Sequence, residues 1–165
     1  MDTEIRKIRK ILLVEDDPQD AELMLASLEE PRLADRVVVV RDGEEALDYL
    51  YRHGEFKARL GGDPILVLLD LKMPKVNGLE VLKIIKADAY LRIVPVVVLS
   101  SSRETQDLLA CYKHDVNAYV VKPMDFSKFM KTIQQLIFFW ADVNEPPPPA
   151  WREEIGIQKG SSILL

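Results

Sequence analysis

The sequence predicts an α/β doubly wound domain, a five-stranded parallel sheet with helices on both faces. Short apolar runs recur along the chain at Ile11–Val14, Val37–Val40, Ile65–Leu69, Val96–Leu99 and Ala118–Val121. Most are β-branched and apolar at consecutive positions, the pattern of strands covered on both faces. Between them lie stretches with the i, i+3, i+4 spacing of amphipathic helices. Strand–helix alternation of this kind implies right-handed crossovers in a parallel sheet.

After the first run, Pro18 suits an opening helical turn, with Asp16 or Asp17 as its cap. Ala21, Met24, Leu25 and Leu28 then recur at helical spacing until Pro31 closes the helix. Asp42-Gly43 opens a second helix bearing Ala46, Leu47 and Leu50, and Gly78 a third bearing Leu79, Leu82 and Ile85. Leu108, Leu109 and Tyr112 mark the fourth. Phe126, Phe129, Met130, Ile133 and Ile137 supply the core positions of the fifth. The connection over 52–64 is longer than usual. Pro146 to Pro149 form a stiff spacer ahead of a stretch, 151–165, without clear periodicity. The expected division is a folded domain over 1–140 and a Pro-rich extension over 141–165, without a recognisable output domain.

The chain has 165 residues, enough for one domain with some excess. Its net charge of −5 gives no support to nucleic-acid binding, which draws on a basic excess to neutralise phosphates. The N-terminal charges, Arg6, Lys7, Arg9 and Lys10 among them, read as a solvated lead-in rather than a leader. No run approaches the roughly 18 apolar residues of a membrane span, so a cytoplasmic location without membrane contact is expected. Cys111 stands alone, which excludes an internal disulfide, and reads as a small buried hydrophobe. His53 and His114 lack a second ligand at metal spacing and read as surface residues; Gly61-Gly62 reads as a loop hinge.

Chemistry concentrates at the carboxyl ends of the strands, which gather at one edge of such a sheet. The first run ends in Glu15-Asp16 with Asp17 next, the third in Asp70, the fourth in Ser100 and the fifth in Lys122-Pro123. Two carboxylates roughly 4 Å apart repel by about 4 kcal/mol at an effective dielectric of about 20. The cluster is tolerable if a divalent cation binds or a carboxyl keeps its proton. Hard oxygen ligands with open positions favour Mg2+. A carboxylate can attack phosphorus to form an acyl phosphate, while the cation and Lys122 neutralise charge on the transferring group and Ser100 hydrogen-bonds it.

The segments Val14-Glu15-Asp16, Leu69-Asp70-Leu71-Lys72-Met73-Pro74-Lys75-Val76-Asn77-Gly78, Val98-Leu99-Ser100-Ser101 and Tyr119-Val120-Val121-Lys122-Pro123 together resemble the receiver domain of response regulators, over roughly residues 8–140. That resemblance implies a chemotaxis-regulator-like, flavodoxin-like (βα)5 fold with strand order 2-1-3-4-5. It implies Asp70 as phosphoacceptor. Mg2+ or Mn2+ would bind at Asp16, Asp70 and the Lys72 backbone carbonyl, with Glu15 acting through water. Ser100 would be the switch hydroxyl, Tyr119 the switch aromatic and Lys122 the phosphate-pairing lysine, followed by a cis bond to Pro123.

The implied partner is a sensor histidine kinase. The long 52–64 connection and the Pro-rich end resemble the small regulators paired with bacterial phytochromes. Phosphorylation would alter the surface of the fourth helix, fifth strand and fifth helix, for partner binding or homodimerisation. Phe138, Phe139 and Trp140 are the candidate interface, with packing of the tail as the equal alternative. Two other functions compete. Phosphatases with an aspartate nucleophile place a second Asp two residues on, where this chain has Lys72. Phosphate-independent receiver-like dimerisation modules lose an acid or the lysine, and this chain keeps all of them.

Overall fold

The computed structural model describes residues 9–148, 156 and 158. Strands β1 (Ile11–Val14), β2 (Val37–Val40), β3 (Leu66–Leu69), β4 (Val96–Ser100) and β5 (Ala118–Val121) form one sheet of order β2-β1-β3-β4-β5. Every pairing is parallel. The helices are α1 (Pro18–Ser27), α2 (Gly43–Tyr51), α3 (Gly78–Ala87), α4 (Thr105–Lys113) and α5 (Phe126–Phe138). The expected α/β doubly wound architecture is the observed one.

The pleat sends alternate strand residues to opposite faces, and each face has its own core. Leu12, Val14, Val67, Leu69, Val96 and Val98 pack with α2 and α3 residues such as Leu50, Leu82 and Ile85, and with Cys111 of α4. Ile11, Leu13, Leu66, Leu68, Val97 and Leu99 pack with Met24 of α1 and with Phe129, Ile133 and Ile137 of α5. Burial of each such side chain contributes about 1.5–3 kcal/mol. Apolar residues at consecutive positions are therefore required in the central strands.

The edges and two helices depart from the sequence reading. β2 is half-covered, and Val39 is 36% exposed; a run of valines does not reveal that its strand lies at the edge of the sheet. β5, the other edge, is half-buried throughout. In α4, Leu109 and Tyr112 are exposed, while Cys111 is buried as expected. In α5, Phe126 is exposed at the first turn, leaving Phe129, Ile133 and Ile137 as the core residues. Pro31 does not close α1, which ends at Ser27; it opens a separate helical turn, Pro31–Ala34. His53 is exposed, but His114 is half-buried at the end of α4.

Arg52 and Arg59 organise the long 52–64 connection. Arg52 donates to the carbonyls of Arg59 and Gly61, and Arg59 to those of Tyr49 and Gly62. The Arg59 guanidinium lies 4.2 Å from the Tyr49 ring centroid. At the other end of the chain, α5 runs on into a π turn, Phe139–Val143, whose Ala141 is buried against the α1–α5 core. Pro146, Pro147 and Pro148 follow without helix or strand, and Arg9 pairs with Glu145 at 3.6 Å. Arg6, Lys7, Pro149 and most of 151–165 fall outside the described residues.

Candidate functional site

Sheet hydrogen bonds run one residue past the strands and hold the backbone of three site residues. Glu15 N–H donates to Val40 O (3.0 Å), Asp70 N–H to Val14 O (3.1 Å) and Lys122 N–H to Ser100 O (2.9 Å). The side chains at these three positions converge. The Lys122 ammonium donates to Glu15 Oε2 at 2.7 Å, to Asp20 Oδ2 at 2.9 Å and to Asp70 Oδ2 at 3.3 Å. The exposures of these side chains are 1% for Glu15, 12% for Asp70 and Lys122, and 32% for Asp20.

Asp20 is the member that sequence reasoning missed. It lies in the first turn of α1, four residues after Asp16, so the helix carries it back over the strand end. That i+4 spacing from a strand-end acid was the available signal. The cap of α1 is Asp17, whose Oδ1 accepts the N–H groups of Gln19 (2.8 Å) and Asp20 (3.4 Å). Asp17 N–H in turn donates to Glu15 Oε1 at 3.1 Å. Both Glu15 oxygens are thus engaged, one by a backbone amide and one by the ammonium.

The electrostatics follow from burial. Loss of solvent pushes the Glu15 carboxyl up to about 7, against the opposing pull of Lys122. For Lys122, desolvation lowers the affinity for the proton, but Glu15, Asp20 and Asp70 outweigh it and hold the ammonium above its ordinary range. One cation serves three carboxylates, and Asp16, exposed to solvent, stands next to them. Glu15, Asp16 and Asp70 each bring a carboxylate oxygen to within 4.8 Å of the others. A hard, anionic oxygen set with excess negative charge suits a divalent cation, so the residues present fit Mg2+ or Mn2+.

Glycine 78 explains how α3 and Asp70 come so close. A Cβ at Gly78 would sit 2.0 Å from Asp70 O and 2.7 Å from Leu71 Cα, so only glycine lets the helix start press against the strand end. Asn77 caps that helix by accepting Glu80 N–H at 3.0 Å. The Leu71–Asn77 loop between them carries Lys72, which is exposed.

The expected switch residues form a linked set. Ser100 is 1% exposed; its Oγ accepts Ser102 N–H at 3.2 Å and is in hydrogen-bond contact with the Tyr119 hydroxyl. Tyr119 packs inward against the α2–α4 side of the core and donates its hydroxyl to Ser102 O at 3.0 Å. The Ser102 hydroxyl donates to Asp107 in the first turn of α4. Ser102, to which the sequence reading gave no role beyond its neighbour's motif, is the common partner.

Two expectations are modified. The Lys122–Pro123 bond is trans, since no cis peptide occurs among the described residues. Cis and trans X–Pro forms differ by only about 0.5–1 kcal/mol. With the trans bond, Lys122 keeps its ladder hydrogen bond to Ser100 and still reaches three carboxylates. The aromatic trio at the end of α5 divides: Phe138 and Phe139 are exposed, while Trp140 packs against the α1–α5 core, with Phe139 edge-on at 5.2 Å.

A doubly wound sheet with acids, a hydroxyl and a lysine at its strand ends defines a class of signalling domain. The family profile of the response regulator receiver domain matches residues 11–134, and this chain belongs to that family. Among its relatives, the probable methanogenesis regulatory protein FilR2 of Methanothrix harundinacea (strain 6Ac) is 41% identical over 140 residues, 85% of this chain and 88% of FilR2. The bacteriophytochrome response regulator AtBRR is 59% identical, with a TM-score of 0.66 over 84% of this chain and 99% of AtBRR. The phosphorylated cyanobacterial phytochrome response regulator RcpA is 38% identical, with a TM-score of 0.78 over 85% of this chain and 99% of RcpA. No helix among the described residues is long and apolar enough to cross a membrane.

Proposed function

We propose that this chain is a response regulator whose Asp70 accepts a phosphoryl group from the phosphohistidine of a sensor histidine kinase. The observation that carries this reading is the Lys122 ammonium 3.3 Å from Asp70 Oδ2, beside the carboxylates of Glu15 and Asp16. In the transfer, an Asp70 carboxylate oxygen forms the new bond to phosphorus as the P–N bond breaks, and the imidazole nitrogen leaves with the bonding pair. A divalent cation, Mg2+ or Mn2+, would be held by Asp16, Asp70, the Lys72 carbonyl and, through water, Glu15. When bound it supplies charge neutralisation at the phosphoryl oxygens. Lys122 turns from its carboxylates to the phosphoryl group, and the Ser100 hydroxyl turns from Tyr119 to donate to it.

Movement of Ser100 pulls on Ser102, and through it on Tyr119 and Asp107, so a local charge change reaches α4 and β5. Phosphorylation then shifts a population between two surface states rather than creating a new one. The α4–β5–α5 surface would serve partner binding or a homodimer, with exposed Phe138 and Phe139 as its contact and Trp140 as their support. Residues 1–140 would form the receiver, in the cytoplasm with its kinase, and 141–165 an extension. Similarity to AtBRR, a bacteriophytochrome response regulator, and to RcpA, a cyanobacterial phytochrome response regulator, supports a kinase of phytochrome type.

The test is a Phos-tag gel of the wild type and Asp70→Asn after incubation with acetyl phosphate, with and without Mg2+. A shifted band that needs both Mg2+ and Asp70 is expected. No shift with acetyl phosphate, phosphoramidate or a cognate kinase would overturn the reading in favour of a phosphate-independent dimerisation module. Turnover of a generic phosphate ester would instead indicate a phosphatase.

A further inference from the structure

The loop that carries Lys72 is held from outside the carboxylate cluster. Lys75 lies at φ 60°, in the left-handed region uncommon for a residue with a side chain. Such a conformation persists where its surroundings over-determine it. Its ammonium is 3.2 Å from Asp42 Oδ2 and 3.5 Å from Glu44 Oε2. Asp42 is 6% exposed, and its Oδ1 is occupied in capping α2, accepting Glu45 N–H at 2.9 Å. Beside this ion pair the two loops touch: a Cβ on Gly43 would lie 2.1 Å from Val76 O. At the far end, Gly78 N–H donates to Leu71 O at 2.9 Å. The 71–77 loop is therefore closed on itself at one side and pinned to the start of α2 at the other.

We propose that Asp42 and Lys75 are positioning residues for the divalent cation, clamping the 71–77 loop so that the Lys72 backbone carbonyl stays in register with Glu15, Asp16 and Asp70. This rests on the metal-dependent reading above. The clamp and a simple long-range field predict opposite signs for one variant. Lys75 is positive and, by field alone, opposes a cation, so Lys75→Met would tighten Mg2+ binding. If the clamp operates, the same substitution releases the loop and weakens binding.

The experiment is calorimetric Mg2+ titration of the full chain as wild type, Lys75→Met, Lys75→Arg and Asp42→Asn, with amide exchange of residues 71–77 in the metal-free proteins. Lys75→Met is expected to weaken Mg2+ several-fold, the scale of one partly exposed ion pair, and to speed exchange in the loop. Lys75→Arg restores both, and Asp42→Asn, which keeps a capping oxygen, behaves like Lys75→Met. Wild-type binding with Lys75→Met equal or tighter overturns the clamp alone. A wild type that binds no Mg2+ overturns the metal-dependent reading and the clamp with it. The Lys75 side chain is 59% exposed, so an unchanged circular dichroism spectrum is expected for its variants.

Discussion

Replacing Lys122 with methionine removes one cation from three carboxylates, and the structure sets the size and pH dependence of the outcome. Breaking a buried ion pair costs about 3–5 kcal/mol because a desolvated charge is left alone. Two features reduce this. Asp20 is 32% exposed and recovers solvation. Glu15, only 1% exposed, can take a proton, since burial already pushes its carboxyl up to about 7 with Lys122 present. A destabilisation of about 2–4 kcal/mol is expected at pH 8. With a urea dependence of about 2 kcal/mol per molar, the midpoint falls by about 1–2 M.

The pH dependence has a definite sign. Glu15 binds its proton more tightly folded than unfolded, so this group costs stability as pH rises from about 4.5 to about 7. Lys122 has a raised folded value, so its contribution is fully present below 10.5 and is lost only above it. Without the ammonium, Glu15 moves further up and its window extends to higher pH. The gap between wild type and Lys122→Met therefore widens between pH 5.5 and pH 8, and saturating Mg2+ narrows it by replacing the missing charge. Urea titrations at both pH values, with and without Mg2+, make the comparison. An unchanged midpoint at pH 8, or a gap that shrinks as pH rises, would refute the shared-ammonium account.

Gly78→Ala is expected to lower stability by about 1–3 kcal/mol through overpacking, since its Cβ would meet Asp70 O at 2.0 Å; thermal melts measure the loss, and a Phos-tag gel should show slower phosphorylation. Ser102→Ala removes the hydroxyl that ties the Ser100 strand end to Asp107. A loss of about 1 kcal/mol and faster amide exchange over 105–108 are expected, with the fold unchanged by circular dichroism. Lys86 is pushed down to about 8 by burial, against an ordinary 10.5, while donating to the carbonyls of Arg92 and Val94 and to Asn117 Oδ1. The unfolded chain then binds more protons between about 8 and 10.5, so wild-type stability should rise over that range relative to Lys86→Met. Urea midpoints of both proteins at pH 8 and pH 10 check this.

The sequence by itself determined the βα repeat and the edge at which the chemistry sits. A strand buried on both faces needs consecutive apolar residues, and a parallel sheet brings every strand's carboxyl end to one side, so the sequence alone groups Glu15, Asp16, Asp70, Ser100 and Lys122. Tertiary structure alone decided which of these residues touch and which others join them. Asp20 reaches Lys122 across 102 positions because α1 lies over the strand ends, and Ser102 becomes a junction because β4, β5 and α4 meet there. The exposed face of β2, the outward turn of Leu109 and Phe126, and the split between Phe138 and Trp140 depend on which neighbour covers each surface. Hydrophobicity along the chain records that a residue can be buried, but the packing of distant segments decides whether it is.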